Sequence, residues 1–183
     1  MTLHRRDVVK KLLEDRKELL VVAGLGSTAW DITAAGDSPL NFPMWGAMGQ
    51  AAMMGLGLAL AQPQRRVLVI TGDGEMLMGL GSLATIGVQQ PANLGIVVID
   101  NERYGETGMQ ATHTARGVDL AGVAKACGLN VCPWEKMRDA AGPAFAVAKV
   151  AAEKIPLVLP PREGALLKAR FRRALLGPAA DSI

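Results

Sequence analysis

Val67-Leu68-Val69-Ile70-Thr71-Gly72-Asp73-Gly74-Glu75 joins an uninterrupted apolar run to a glycine-flanked acidic turn. The pattern returns at Leu94-Gly95-Ile96-Val97-Val98-Ile99-Asp100-Asn101-Glu102-Arg103. Runs this short, apolar and rich in β-branched residues read as strands buried on both faces. Met76 to Gln90, between them, has the length of a helix, so the segment forms one βαβ unit of a parallel sheet. Upstream, Leu19-Leu20-Val21-Val22-Ala23 is a further buried strand ending in the Gly24-Leu25-Gly26 turn. An amphipathic helix around Arg6 to Glu18 precedes it, with Val8, Val9, Leu12 and Leu13 on one side. Asp37 to Pro43 reads as a loop.

Gly49 to Ala61 has helical length and almost no polar face, so protein should cover it on all sides, with a subunit contact as the expected cover. Gly55 and Gly57 each cost about 1 kcal/mol inside a helix, which implies close approach of another backbone there. Downstream the pattern gives a helix near Leu120 to Ala126, a short strand at Leu129 to Cys132, a helix from Trp134 to Lys154, a strand at Leu157 to Leu159 and a basic closing helix. The expected fold is α/β, one doubly wound parallel sheet with helices on both faces. It forms a single domain over 1–183, with ligands at the carboxyl ends of the strands.

The length of 183 residues suits one domain, and the composition, 50% hydrophobic and 4% aromatic with 21 glycines, suits many tight strand-to-helix turns. The net charge is only +3. The basic residues gather mainly at the two ends, so they read as solvated helix faces, with an anionic partner surface as the lesser reading, and give no support for nucleic acid. Cys127 and Cys132 lack the paired spacing and histidine companions of a zinc site and are expected to be buried, reduced and inert. The longest apolar run, Ala51 to Ala61, is too short to span a bilayer, and the charged start lacks the pattern of a signal peptide. No membrane association and a cytoplasmic location are expected.

The chemistry concentrates in the two polar turns. Each follows a buried strand, and one βαβ unit separates them, so they emerge side by side at one edge of the sheet. Asp73, Asn101 and an exposed backbone carbonyl supply hard oxygen ligands for Mg²⁺, which also takes phosphate oxygens and water. Gly72 and Gly74 let backbone amides approach a diphosphate, and the helix beginning near Glu75 turns its positive end toward it.

From Gly72 to Gly105 the chain resembles the cofactor-binding motif of thiamine-diphosphate enzymes, GDG followed after about one βαβ unit by NN. Asp100 stands here in place of the first Asn, which leaves the metal role with Asn101. The resemblance implies Asp73, Asn101 and the Arg103 carbonyl as metal ligands, with Tyr104-Gly105 closing over the diphosphate. Upstream, Met44-Trp45-Gly46-Ala47-Met48-Gly49 resembles the family's G-x-M-G segment. In that segment a bulky apolar side chain, here Met48, wedges beneath the bent cofactor. The Gly46 carbonyl and Met48 amide would hold its aminopyrimidine. A core methionine filling an irregular gap is the competing reading of Met48. Gly26, Ser27 and Thr28 are a weaker match that would grip the diphosphate from the other side.

With Gly105-Glu106-Thr107-Gly108-Met109-Gln110-Ala111-Thr112-His113-Thr114 included, about Leu20 to Leu159 looks most like two relatives. They are the small thiamine-binding subunit of sulfopyruvate decarboxylase and the matching domain of phosphonopyruvate decarboxylase. His113, in a polar loop, fits solvated surface and also a proton donor; Gln110 and Thr112 are neutral polar candidates for the same pocket. Trp30 stands where related decarboxylases align an Arg, which weakens an oxyanion clamp on this chain. The resemblance implies a small anionic 2-oxo acid as substrate. It also implies a pyrimidine-binding (alpha) partner subunit that supplies the activating glutamate, for which no glutamate here has the matching setting.

Two readings of other kinds remain. Gly24-x-Gly26-x-x-Ala29 imitates a dinucleotide fingerprint, but Asp37 to Pro43 offers a loop where an acidic strand end is needed. A noncatalytic binding subunit would keep the fold without the activity.

Overall fold

The computed structural model describes residues 2–181. Among them the strands are β1 (Leu20–Ala23), β2 (Asn41–Pro43), β3 (Val67–Gly72), β4 (Leu94–Asp100), β5 (Arg103–Tyr104), β6 (Gln110–Ala111), β7 (Asn130–Val131) and β8 (Ala144–Lys149). Strands β5 and β6 pair antiparallel as a hairpin; the other strands form one six-stranded sheet in the order β2-β1-β3-β4-β8-β7, parallel throughout. The helices are α1 (Arg5–Leu13), α2 (Ser27–Ala34), α3 (Ala51–Ala61), α4 (Asp73–Met78), α5 (Ser82–Gln89), α6 (Leu120–Ala126) and α7 (Gly164–Leu176).

Alternation along each strand sends successive side chains to opposite faces, and both faces are covered. In register, Val22, Val69, Ile96 and Phe145 form a row across four strands on one face, buried beneath α3, α5 and α6. Ala23, Ile70, Val97 and Ala146 form the row on the other face, beneath α1 and α2. Each large apolar side chain buried in this way contributes about 1.5–3 kcal/mol, enough to hold the register against a slip that would exchange the two rows. Helix α1 buries Val8, Val9, Leu12 and Leu13 as its periodicity predicts.

Several expectations are corrected. Residues 134–154 form no long helix: a 3₁₀ turn at Trp134–Lys136 is followed by β8, which lies between β4 and β7. Alanine-rich Ala144-Phe145-Ala146-Val147-Ala148-Lys149 carries good helix formers, yet its neighbours on both sides offer a hydrogen-bonding ladder, and tertiary pairing overrides propensity. Residues Leu157 to Leu159 form no strand and stay exposed, because Pro156, Pro160 and Pro161 remove the donors that a ladder needs. The Asp37 to Pro43 segment ends in the edge strand β2 rather than staying a loop.

The single helix expected from Met76 to Gln90 is two, α4 and α5, broken at Gly79-Leu80-Gly81. A Cβ on Gly79 would stand 2.0 Å from the carbonyl oxygen of Gly49, so the backbone contact expected along α3 occurs here instead. Gly55 packs against a side chain, with its Cβ site 2.2 Å from Val69, and Gly57 faces open space. Met53, Met54 and Leu60 leave the outer side of α3 exposed within this chain. Cys127 and Cys132 are free thiols, half-buried rather than buried. Among the described residues no helix is long and apolar enough to cross a membrane.

Candidate functional site

Strand order fixes where a ligand can sit. From β1 the chain winds to β2 on one side, then returns to β3 on the other, so the sheet's switch point lies between the carboxyl ends of β1 and β3. A cavity of about 360 Å³ opens there and continues past the end of β4. Ser27, Met48, Gly72, Asp73, Gly74, Glu75, Asn101, Arg103, Tyr104 and Gly105 all line it. Four segments far apart in sequence, those after β1, β3 and β4 and the one before α3, therefore meet in one place.

Asp73 opens α4 at the end of β3 and is 2% exposed. Its Oδ2 accepts a hydrogen bond from the Thr112 hydroxyl at 2.5 Å and lies 3.3 Å from that of Thr114. Burial pushes this carboxyl above its ordinary range, offset by the Thr112 bond and reinforced by the neighbouring Asp100 charge. Among the described residues no Lys, Arg or His side chain pairs with it. The glycine-flanked turn thus sets Asp73 in a buried, hydrogen-bonded position.

After β4, Asp100 and Asn101 make successive side-chain turns. The Asp100 Oδ1 accepts from the Glu102 amide and the Asn101 Oδ1 from the Arg103 amide, both at 3.0 Å. This curls the chain into the β5–β6 hairpin and presents Asn101 and Arg103 to the cavity. The Tyr104 ring lies against Gly74, where a Cβ would come within 2.5 Å of it. Only glycine allows that approach.

Glu75 ties three of these segments together. Its Oε2 accepts from the Thr71 hydroxyl at 2.9 Å, and the amides of Ala51, Gly49 and Leu25 are turned toward the same carboxylate. Its Oε1 has no hydrogen-bond partner among the described residues, and burial raises the group above the usual carboxylate range. Gly24 is needed for the same packing, since a Cβ there would lie 1.6 Å from Oε2.

Some of the residues singled out from the sequence are placed elsewhere. The Thr28 hydroxyl is spent on the Gly24 carbonyl at 2.8 Å, behind the cavity wall. Gly26 is the N-cap of α2 at φ 78°, and the Glu106 side chain lies over it. Gly46 is exposed on the Trp45–Ala47 turn. Gln110 is exposed and bonded to Thr107, and His113 is exposed on the 3₁₀ turn His113–Arg116; neither lines the cavity in this chain. The sequence reading missed Glu106 and Thr107 in the lining, and Thr114 beneath Asp73. The two hydroxyls flanking His113 in Thr112-His113-Thr114 were the available signal.

The lining suits a cation-bridged anion. Asp73, Glu75 and Glu106 line the cavity with one guanidinium, that of Arg103, so with these carboxyls ionised a bound anion would call for a cation between them. No cluster of three or more His, Cys, Asp or Glu side chains suited to a metal occurs among the described residues. Asp73, the Asn101 amide oxygen and the Arg103 carbonyl are the donors that could hold a hard cation that keeps phosphate and water ligands.

A doubly wound α/β sheet with acidic and amide turns converging at its switch point defines the class of domain that takes a ligand at the carboxyl ends of its strands. Residues 26–159 match the family described as thiamine pyrophosphate enzyme, C-terminal TPP binding domain, and the chain belongs to that family. It is 43% identical over 136 residues to the sulfopyruvate decarboxylase subunit beta of Methanocaldococcus jannaschii, covering 74% of this chain and 72% of the relative. Phosphonopyruvate decarboxylase of Streptomyces viridochromogenes is 45% identical over 117 residues, 64% of this chain and 29% of that one. Among solved structures, benzoylformate decarboxylase from Polynucleobacter necessarius superposes with a TM-score of 0.67 at 21% identity, over 86% of this chain and 35% of that chain. That likeness bears on the fold alone.

Proposed function

We propose that the chain is the thiamine-diphosphate- and Mg²⁺-binding subunit of a 2-oxo acid decarboxylase, active with a pyrimidine-binding partner subunit. The observation that carries this is the delivery of Asp73, Asn101 and Met48 into one acidic cavity by three separate loops. When bound, the cofactor supplies an electron sink for the carbon–carbon bond that breaks as CO₂ leaves.

The chain's own residues bind and orient. Asp73, Asn101 and the Arg103 carbonyl hold the cation. Gly74, with Tyr104 packed against it, keeps the diphosphate turn closely walled. Met48 offers an apolar support, and Leu25, Met78 and Ile99 extend that apolar side of the lining and help exclude water. Met48→Ala is therefore expected to lower kcat by about tenfold while changing cofactor affinity less than threefold, a separation that steady-state kinetics and cofactor titration would check.

Sulfopyruvate is the first choice of substrate and phosphonopyruvate the second, supported by the relatives named above. Trp30 is half-buried against the second core face, and the nearby Arg5 guanidinium is committed to Asp31 at 2.5 Å and to the Ser27 carbonyl at 3.1 Å. A strong grip on the terminal oxyanion therefore falls to the partner. CO₂ release from sulfopyruvate, phosphonopyruvate, pyruvate and benzoylformate tests the assignment, with the chain alone and reconstituted with its partner. The expected result is turnover only by the pair, with sulfopyruvate preferred. A preference for the uncharged-tail acids above about tenfold in kcat/KM, roughly 1.4 kcal/mol of transition-state binding, would overturn the sulfonate reading.

A further inference from the structure

Beneath Asp73 lies a polar cluster that no metal or cofactor ligand explains. Thr112 and Thr114 place their hydroxyl oxygens 2.9 Å apart, between the carboxylates of Asp73 and Asp100. Thr112 bonds Asp73 at 2.5 Å and Thr114 bonds Asp100 at 2.8 Å. On the far side, the Lys149 ammonium pairs with the second oxygen of Asp100 at 2.9 Å and with Glu102 at 2.6 Å. Both aspartates are 2% exposed.

The proton inventory of this cluster is short. Two hydroxyls carry two protons and face two carboxylates as well as each other, so the shortest contacts take them: Thr112 donates to Asp73 and Thr114 to Asp100. The Thr112 bond holds Oδ2 of Asp73 and fixes the plane of the carboxylate. The cluster then contains two buried negative charges and one ammonium, on the side away from the cavity.

We infer that Thr112 and Thr114 are positioning residues that fix Asp73 for a divalent cation, and that Lys149 is what allows a charged Asp100 to stand where a neutral amide would need no partner. This rests on the metal reading of Asp73 proposed above. Hydroxyls that hold a ligating carboxylate set its direction and commonly change metal affinity by 10–100-fold when removed. Lys149 lies at the end of β8, next to Asp100 in register, so the sheet itself delivers the ammonium.

The experiment titrates Mg²⁺ against the full chain at saturating thiamine diphosphate, following bound cofactor by equilibrium dialysis, with melting temperature recorded for each variant. Thr112→Val is expected to raise the Mg²⁺ concentration for half-saturation by about tenfold or more, and Thr112→Ser to restore it to near the wild-type value. Lys149→Met leaves the buried Asp100 charge without its counter-ion and should lower the melting temperature, and Asp100→Asn with Lys149→Met should recover it, because the amide carries no charge to balance. A merely structural role for Thr112 would lower the melting temperature without a selective Mg²⁺ shift. A wild-type Mg²⁺ requirement in a folded Thr112→Val overturns the inference and leaves the metal site standing. If Thr112→Val fails to fold, Thr114→Val takes its place with the same outcomes, and a double variant that melts no higher than Lys149→Met overturns the role given to Lys149. Cofactor uptake by the wild-type chain without any divalent ion overturns the metal reading itself.

Discussion

Asp73→Asn is expected to abolish Mg²⁺-dependent retention of thiamine diphosphate while leaving the fold intact. The loss should exceed the roughly 10–100-fold typical of residues one step behind a metal ligand, since Asp73 is the only charged donor in the proposed set. Asparagine is the informative replacement. Asp73 is 2% exposed and hydrogen-bonded beneath the cavity, so alanine would leave a buried gap and unpaired hydroxyls. The amide oxygen can still accept from Thr112, and loss of one charge relieves the repulsion between the two neighbouring carboxylates. The cofactor-free variant should therefore melt no lower than the wild type. Cofactor titration at saturating Mg²⁺, paired with thermal denaturation, checks both halves. Unchanged cofactor affinity in the variant would end the metal assignment.

The second large effect is expected at a glycine outside the motif. Gly79→Ala should destabilise the chain by about 3 kcal/mol, because the new methyl would fall 2.0 Å from a backbone oxygen that has no rotamer through which to yield. For a chain of this size that corresponds to a fall of roughly 6–12 °C in melting temperature. The displaced backbone is that of Gly49, adjacent to Met48, so cofactor binding should weaken in the molecules that remain folded. A variant that melts with the wild type would mean that the two loops do not press on each other.

Much of this could be read from the sequence wherever a local signal agreed with the global arrangement. The strands at Val67, Leu94 and Leu20 announced themselves because burial on both faces leaves no polar alternation, and β4 follows its expected bounds at Leu94–Asp100. The motif turns were legible because they follow such strands directly. The errors have a common origin in partners distant in sequence. Nothing within Ala144–Lys149 says that β4 and β7 will flank it, and an alanine-rich hexamer read alone favours a helix. The helix α2 went unread because Ser27–Ala34 is short and its N-cap, Gly26, offers no side-chain cap.

At the site, residue identity was legible and direction was not. Asp73, Asn101, Met48, Tyr104 and Arg103 line one cavity, but whether a side chain faces it depends on turns whose geometry the sequence states only indirectly. Thr28 illustrates the difficulty: a hydroxyl at a helix start can serve a ligand or a local carbonyl, and here it bonds Gly24. His113 and Thr114 are adjacent, yet the first faces solvent and the second lies beneath Asp73.

The place of β8 between β4 and β7 has a consequence for how the chain reaches its native state. Every motif residue has been synthesised by Thr114, but β4, the strand that leads into Asn101, has no neighbour on one side until Ala144–Lys149 emerges. A product of premature termination near residue 140 would carry the complete cofactor signature and expose a long apolar strand edge, which is a template for aggregation. The nascent polypeptide faces the same hazard during translation: closure of that edge waits for a late, alanine-rich segment that also brings Lys149 to Asp100.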